Sequence, residues 1–325
     1  MRRRAIGLGL VGLGAFALVA ALLVRLVLVD TLVRLPLDQT ASPTAKGTDV
    51  DFLDLSQMRQ LRGLEATVQQ RVQGDPESED ASEDVAVWNF GSTMSDADGK
   101  LLNASTYRVC LDRTEAVAVE CGADHIDYDR ERSIEGLTLT FPFGTEQRDY
   151  DVFNATTGQA FPARFESVEE LEGLEVYKFV QTVPETVIRE TSVPGALVGS
   201  DEGTVQAEIV YSNERTMYIE PTSGVQVTAS EEPRTVLRGP DGTIGATVLG
   251  GSFSGTEETI AAGVERAEDT AGKINLIKNV LPLVLALVGL LALAGGLFLA
   301  LRGPRTPTRS AAHSAENTQL IDATR

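Results

Sequence analysis

At 325 residues, 42% hydrophobic and with a formal net charge of −19, the chain is long enough for one ordinary domain plus membrane segments. The charge is unevenly spread: residues 30–273 hold 19 Lys+Arg and 45 Asp+Glu, a net of −26, between basic flanks. An acidic middle argues against nucleic acid as a partner and against docking of that region on anionic lipid headgroups, because both need a positive face.

Met1–Arg4 is MRRR, and an apolar run follows from Ala5 to Val24, continuing past Arg25 to Val29. That run is longer than the apolar region of a cleaved signal peptide, so residues 5–29 read as an uncleaved signal anchor. Residues 280–301, VLPLVLALVGLLALAGGLFLAL, form a second uncharged run of 22 residues, enough to cross a hydrocarbon core. Arg302, Arg305 and Arg309 lie just beyond it. By the positive-inside rule both basic clusters stay in the cytoplasm. This predicts a two-pass inner-membrane protein with residues 1–4 and 302–325 cytoplasmic and residues 30–273 extracytoplasmic. Small residues at helical spacing offer close-packing faces: Ala292, Gly296 and Ala300 on the second span, and Ala5, Gly9 and Gly12 on the first. They could pair the spans or build a dimer.

Between the spans, Leu35–Val50 with its two prolines reads as an extended leading segment. Leu55, Met58, Leu61, Leu64, Val68 and Val72 recur at three- and four-residue steps, which predicts a helix over about 55–73. Residues 74–84, GDPESEDASED, read as a solvated acidic loop. From Val85 the pattern changes to short alternating segments rich in Val, Thr and aromatics. Turn signals at Asp98-Gly99, Thr157-Gly158, Ser223-Gly224 and Pro240-Asp241-Gly242 separate them, the pattern of an antiparallel β-domain, barrel or sandwich. Ser254–Glu257 matches a capping box, and residues 257–278 read as a helix. The tail, 302–325, is polar with two prolines and few large apolar residues and is expected to be disordered. The fold class is therefore α+β: two transmembrane helices flanking an antiparallel β-rich domain with a few helices.

Cys110 and Cys121 flank a hairpin on the expected extracytoplasmic side, where a disulfide rather than two free thiols is expected. His125 is the sole histidine between the spans, which removes most hydrolase and metal readings. On a strand, Asp127, Asp129 and Glu131 would share a face that a solvated edge explains as well as a Ca²⁺ site. Asp96-Ala97-Asp98-Gly99 resembles a calcium-loop start but lacks the distal glutamate. No phosphate-loop, dinucleotide or nucleophile-elbow motif is present. The expectation is a non-enzymatic protein with no cofactor and no metal site.

At CLDRTEAVAVEC, YDVFNATTGQAFPARF, LEGLEVYKFV and RTMYIEPTSGVQV the chain resembles an actinobacterial integral-membrane family often labelled "porin PorA". The resemblance implies an actinobacterial envelope and brings no catalytic residues. A layout likeness to the scavenger-receptor class B family, through Gly173, Leu174, Tyr177 and Phe179, implies a hydrophobic lipid tunnel. From these, the expected function is binding or transfer of a membrane lipid, glycolipid or lipoglycan intermediate during envelope biogenesis. The alternatives are a scaffold recruiting an envelope synthase, or a pore built from spans of a homo-oligomer.

Overall fold

The computed structural model describes residues 2–54 and 57–301. The predicted tail and its arginines therefore lie outside the described residues. The chain divides into two units, residues 1–25 with 281–325, and residues 26–280.

The first unit is a pair of apolar helices. Helix α1 spans Arg2–Leu23, followed by a wide π turn at Val24–Leu28 and by α2, Val29–Leu32. At the other end of the sequence, α3 (Glu257–Asn275) leads through a second π turn, Leu276–Val280, into α4, Leu281–Leu301. Both apolar stretches are long enough to cross a membrane. Exposed large apolar side chains such as Phe16, Leu22, Leu291 and Phe298 concentrate on them. An apolar surface of that extent requires lipid or protein to cover it.

The second unit is antiparallel β. Its strands are β1 (Thr40–Ala41), β2 (Thr44–Asp54), β3 (Arg59–Gly74), β4 (Val85–Asp96), β5 (Leu101–Asp112), β6 (Ala118–Val119), β7 (His125–Ile126), β8 (Tyr150–Asn154), β9 (Gln159–Leu171), β10 (Leu174–Pro194), β11 (Thr204–Ile219), β12 (Gln226–Glu231), β13 (Arg234–Arg238) and β14 (Ile244–Gly255). The order across the sheet is β6-β5-β4-β3-β2-β14-β12-β11-β10-β9-β8, with β13 bridging β11 and β14. The turn signals act as read: Gly99, Gly158, Gly224 and Gly242 all have positive φ between neighbouring strands. The two remaining edges meet through one segment. Leu137 bridges to Val117, beside β6, and to Val152 in β8. Its amide donates to the Asp151 carbonyl at 2.9 Å and its carbonyl accepts from Phe153 N at 2.7 Å. The sheet is thereby closed into a hydrogen-bonded ring.

The helix expected over 55–73 is corrected to strand β3, residues 55 and 56 being outside the described set. The apolar residues of this stretch fit two periods. Ala66, Val68 and Val72 also alternate, and Ala66 and Val72 are buried toward the interior. Gly63, at φ 62°, weakens a helix, and both β2 and β4 flank the strand as ladder partners. Residues 137–143, whose alternation LTLTFPF fits a strand, serve instead as the irregular closing segment. The acidic loop is anchored: Arg34 pairs with Asp84 at 2.8 Å, and Arg34 and Arg113 donate to the Glu83 carbonyl.

The main core fills the ring with Trp88, Tyr107, Val109, Leu111, Phe141, Tyr150, Phe153, Phe179 and Met217. Smaller clusters continue it around Leu53, Ile209 and Leu237 and around Val50, Met94 and Phe253. Trp88, the only tryptophan, is 3% exposed and donates through Nε1 to the Pro36 carbonyl at 3.0 Å, holding the leading segment down. Helix α3 packs outside the sheet on Val176 and Val227 through Ala267 and Val264. Its N-cap is Thr256, whose side chain accepts from Thr259 N, two residues after the expected Ser254, which remains in β14.

Gly263 lets α3 approach this closely, because a Cβ there would collide with the Val227 backbone. Gly263→Val is expected to cost about 1–3 kcal/mol by lifting α3 off β12. Gly272→Ala, where a Cβ meets nothing within 4 Å, is expected to stabilise by about 0.5–1 kcal/mol. Denaturant titration followed by Trp88 emission measures both.

Candidate functional site

The membrane unit is organised by glycines seven residues apart. Gly7 and Gly14 on α1 meet Gly296 and Gly289 on α4 in antiparallel order. A Cβ on Gly7 would lie 2.8 Å from the Gly296 carbonyl oxygen and 2.9 Å from Ala300 N. One on Gly14 would lie 2.7 Å from the Gly289 carbonyl oxygen. The two backbones are therefore in contact, and dispersion between closely packed chains replaces the hydrophobic drive that lipid cannot supply. Of the face named on the second span, Gly296 is buried at this contact, Ala300 presents its backbone to Gly7, and Ala292 is half-buried. On the first span the packed face runs through Gly7, Gly14, Ala17 and Ala21, not through Ala5, Gly9 and Gly12, which are exposed. A seven-residue repeat of glycine on both helices is the signal that was missed. It matches the period at which two nearly parallel helices regain the same face.

The interior of the ring is layered. Its aromatic layer is dense: Phe141 lies 5.0 Å and Tyr150 5.8 Å from Phe179 between ring centroids, and Phe90 stacks on Tyr107 at 4.7 Å. One residue pair further along β10 and β11, Gln181 stands opposite Arg215, and Arg215 opposite Glu231 on β12. Arg215 Nε lies 3.0 Å from Glu231 Oε1, and Asn213 Nδ2 donates to Glu231 Oε2 at 3.3 Å. Gln181, fully buried, donates to the Val152 and Phe161 carbonyls at 2.6 and 3.0 Å, which ties β10 to the β8–β9 hairpin. Burial pushes the Tyr107 phenol far above its usual range, with Arg215 opposing and Glu231 adding to the rise. Tyr107 therefore stays protonated throughout the physiological range. At this level the interior is occupied by polar side chains, Gln181 fully buried and Glu231 partly open to solvent.

The outward faces of the strands are polar, with Glu166, Lys178, Arg71, Gln69, Thr93 and Arg108 among them. A transmembrane barrel needs an apolar outer band, and this sheet lacks one.

Cys110 and Cys121 are joined as a disulfide. The Asp80 carboxylate approaches both sulfurs, the one metal-type grouping among the described residues, but bonded sulfurs offer no thiolate. Asp127, Asp129 and Glu131 lie in a turn rather than on a strand. Asp127 accepts from Thr106 N at 2.8 Å and Asp129 from Glu131 N at 3.0 Å, so both carboxylates serve as turn acceptors. Asp96 likewise accepts from Asp98 N and Lys100 N in the β4–β5 turn.

A family model described as Porin PorA matches residues 6–298. A "Porin PorA" of Corynebacterium amycolatum is 25% identical over 299 residues, covering 71% of this chain and 77% of that relative. Another, of Corynebacterium resistens, is 23% identical over 285 residues, covering 63% and 68%. A solved Bacteroides fragilis structure with a YmcC-like fold aligns at 10% identity over 68% of this chain and 96% of that one, with a TM-score of 0.19, which assigns no shared fold. The expectation of a domain that binds or transfers a lipid, glycolipid or lipoglycan is corrected by these matches, since family and relatives carry the name of a porin. The physical reason is on the inside of the ring: aromatic side chains occupy the volume that an acyl chain would need.

Arg215→Met would leave Glu231 facing the interior without its cation. Because the Glu231 side chain is 37% exposed, the expected loss is about 1–3 kcal/mol, below that of a fully buried pair. The double variant Arg215→Met/Glu231→Leu is expected to recover most of it, as read by urea unfolding of the full chain in detergent.

Proposed function

The chain belongs to the Porin PorA family, and on that premise we propose that it forms a pore as an assembly of several copies, with a helical rather than a β membrane wall. The observation that carries this reading is that the family match includes both apolar helices, α1 and α4. The sheet is an unsuitable wall on either side: its outward residues are polar and its interior is filled. A single α1–α4 hairpin is unsuitable too, since its backbones touch and leave no path. Several hairpins arranged around an axis supply what one cannot. Gly9, Gly12 and Gly295 have nothing within 4 Å and leave smooth strips for neighbouring helices.

A wall of this kind is apolar along most of its length. Apolar constrictions conduct when wetted and close by dewetting, so a small, gated conductance fits best. In this reading the protein acts without catalysis, and the basic residues at Arg2–Arg4 and beyond Leu301 hold both termini in the cytoplasm. The β unit then stands outside, where its disulfide is stable.

Full-length protein reconstituted in planar bilayers is expected to give stepwise conductance, accompanied by crosslinked oligomers. Gly14→Leu, which forces the hairpin apart, is expected to lower the step frequency at least tenfold. Oligomers without conductance would overturn the reading.

A further inference from the structure

The outer face of β3, β4 and β5 carries a groove with a volume of about 780 Å³. Its floor follows from the register: Arg71, Gly91 and Thr106 form one row, and Gln69, Thr93 and Ala104 the next. Gly91 at the centre has nothing within 4 Å of where its Cβ would be, so the floor is low. Ser42 and Thr44 form one rim and the turn at Asp127–Tyr128 the other. A second depression of about 530 Å³, lined by Arg108, His125 and Arg130, lies on the far side of the same tyrosine.

Tyr128 is held at a cost. Ile126 and Asp129 pair across a two-residue turn whose central residues, Asp127 and Tyr128, have φ of 49° and 67°. This is the pattern of a type I′ turn, whose second central position favours glycine. A tyrosine there is strained, and strain of this kind marks sites where the side chain is needed. The turn is fixed by Thr106, which donates to Asp127 Oδ1 and accepts from Asp127 N, each at 2.8 Å. The ring is 82% exposed. One of its faces stacks on His125, with centroids 5.3 Å apart and planes at 18°, and the other is open.

Arginines line both depressions: Arg71 the larger, Arg108 and Arg130 the smaller. Arg108 is set in place by Asp75 at 2.8 Å and Asn89 at 3.1 Å. Among the described residues Arg71 and Arg130 have no ion-pair partner, and His125 Nδ1 is buried without a hydrogen-bond partner. Three of the nearby carboxylates are held in place, Asp127 by Thr106 N, Asp129 by Glu131 N and Asp75 by Arg108.

We propose that this groove binds an acidic polysaccharide strand, with one sugar ring stacked on Tyr128 and its carboxylate between the arginines. The electron-rich face of a tyrosine attracts the C–H face of a pyranose. Hydroxyl and amide groups of Thr44, Gln69, Thr93 and Thr106 match sugar hydroxyls, and guanidinium groups match a carboxylate. No large aliphatic side chain lines the groove, which favours the glycan itself over an acyl chain as the ligand. The site uses none of the helical residues, and it stands or falls independently of the pore.

Calorimetric titration of the full-length protein in detergent with hexagalacturonate, against maltohexaose and inorganic phosphate, tests this. Saturable binding of the acidic hexasaccharide is expected, at least tenfold tighter than of maltohexaose and weakened by salt. Tyr128→Gly is expected to abolish it while leaving the thermal midpoint unchanged or raised, because glycine relaxes the turn. Arg130→Gln is expected to weaken it severalfold. Equal binding of the two hexasaccharides, binding of phosphate alone, no binding at millimolar ligand, or unchanged affinity in Tyr128→Gly would each overturn the proposal.

Discussion

A long antiparallel sheet leaves two edges whose backbone groups need partners, and everything else in the β unit depends on how they are satisfied. Here a single irregular segment does so. Gly136, at φ 76°, passes so close to β8 that a Cβ would lie 2.6 Å from the Asp151 carbonyl oxygen. That approach lets Leu137 hydrogen-bond to β8 while Ala118 N donates to the Gly136 carbonyl at 2.9 Å. Closure then defines an inside, and the alternation of each strand fills it. Phe179, Met217, Tyr107 and Val152 come from strands far apart in sequence and meet because the ring is shut.

How much of this could be read from the chain depends on the range of the forces involved. The two apolar helices are written in composition alone, and the turns in local glycine chemistry, so both were legible. Strand β3 was not, because Leu61, Leu64, Val68 and Val72 satisfy a helical period while Ala66, Val68 and Val72 satisfy a strand period. Only the presence of β2 and β4 as hydrogen-bonding neighbours decides between them. Closure by Gly136–Leu137 was invisible for the same reason: nothing local distinguishes that glycine from a turn. The membrane contact was half legible. The small residues were visible, but choosing Gly7 and Gly14 over Gly9 and Gly12 requires knowing the antiparallel partner. Asp127-Tyr128 lacks the glycine that marks the other turns, so its left-handed geometry had only a weak sequence signal in Asp127.

The filled ring and the bare helices divide the labour between the two units. A hollow sheet was the natural expectation for a domain that handles lipid, and a lipid-facing sheet for a bacterial porin. Among the described residues the sheet carries a packed core inside and charged side chains outside. Apolar surface is reserved for α1 and α4, while the sheet turns charge outward and aromatic rings inward. The polar layer of Gln181, Arg215 and Glu231 is held by strand register and by carbonyls of the β8–β9 hairpin, which makes it part of the framework.

The glycine contacts also act as a mechanical stop. Seven residues of helix correspond to about 10.5 Å along the axis, so the seats at Gly7–Gly296 and Gly14–Gly289 recur only at that interval. A slip of one turn would put Leu285 or Leu293 in the place of Gly289, where a Cβ would lie 2.9 Å from the Gly14 carbonyl oxygen. The hairpin therefore resists sliding along its length and behaves as a strut of fixed register. Its outward leucine and valine surfaces, not the seat between the two helices, are the part left free to adjust to their surroundings.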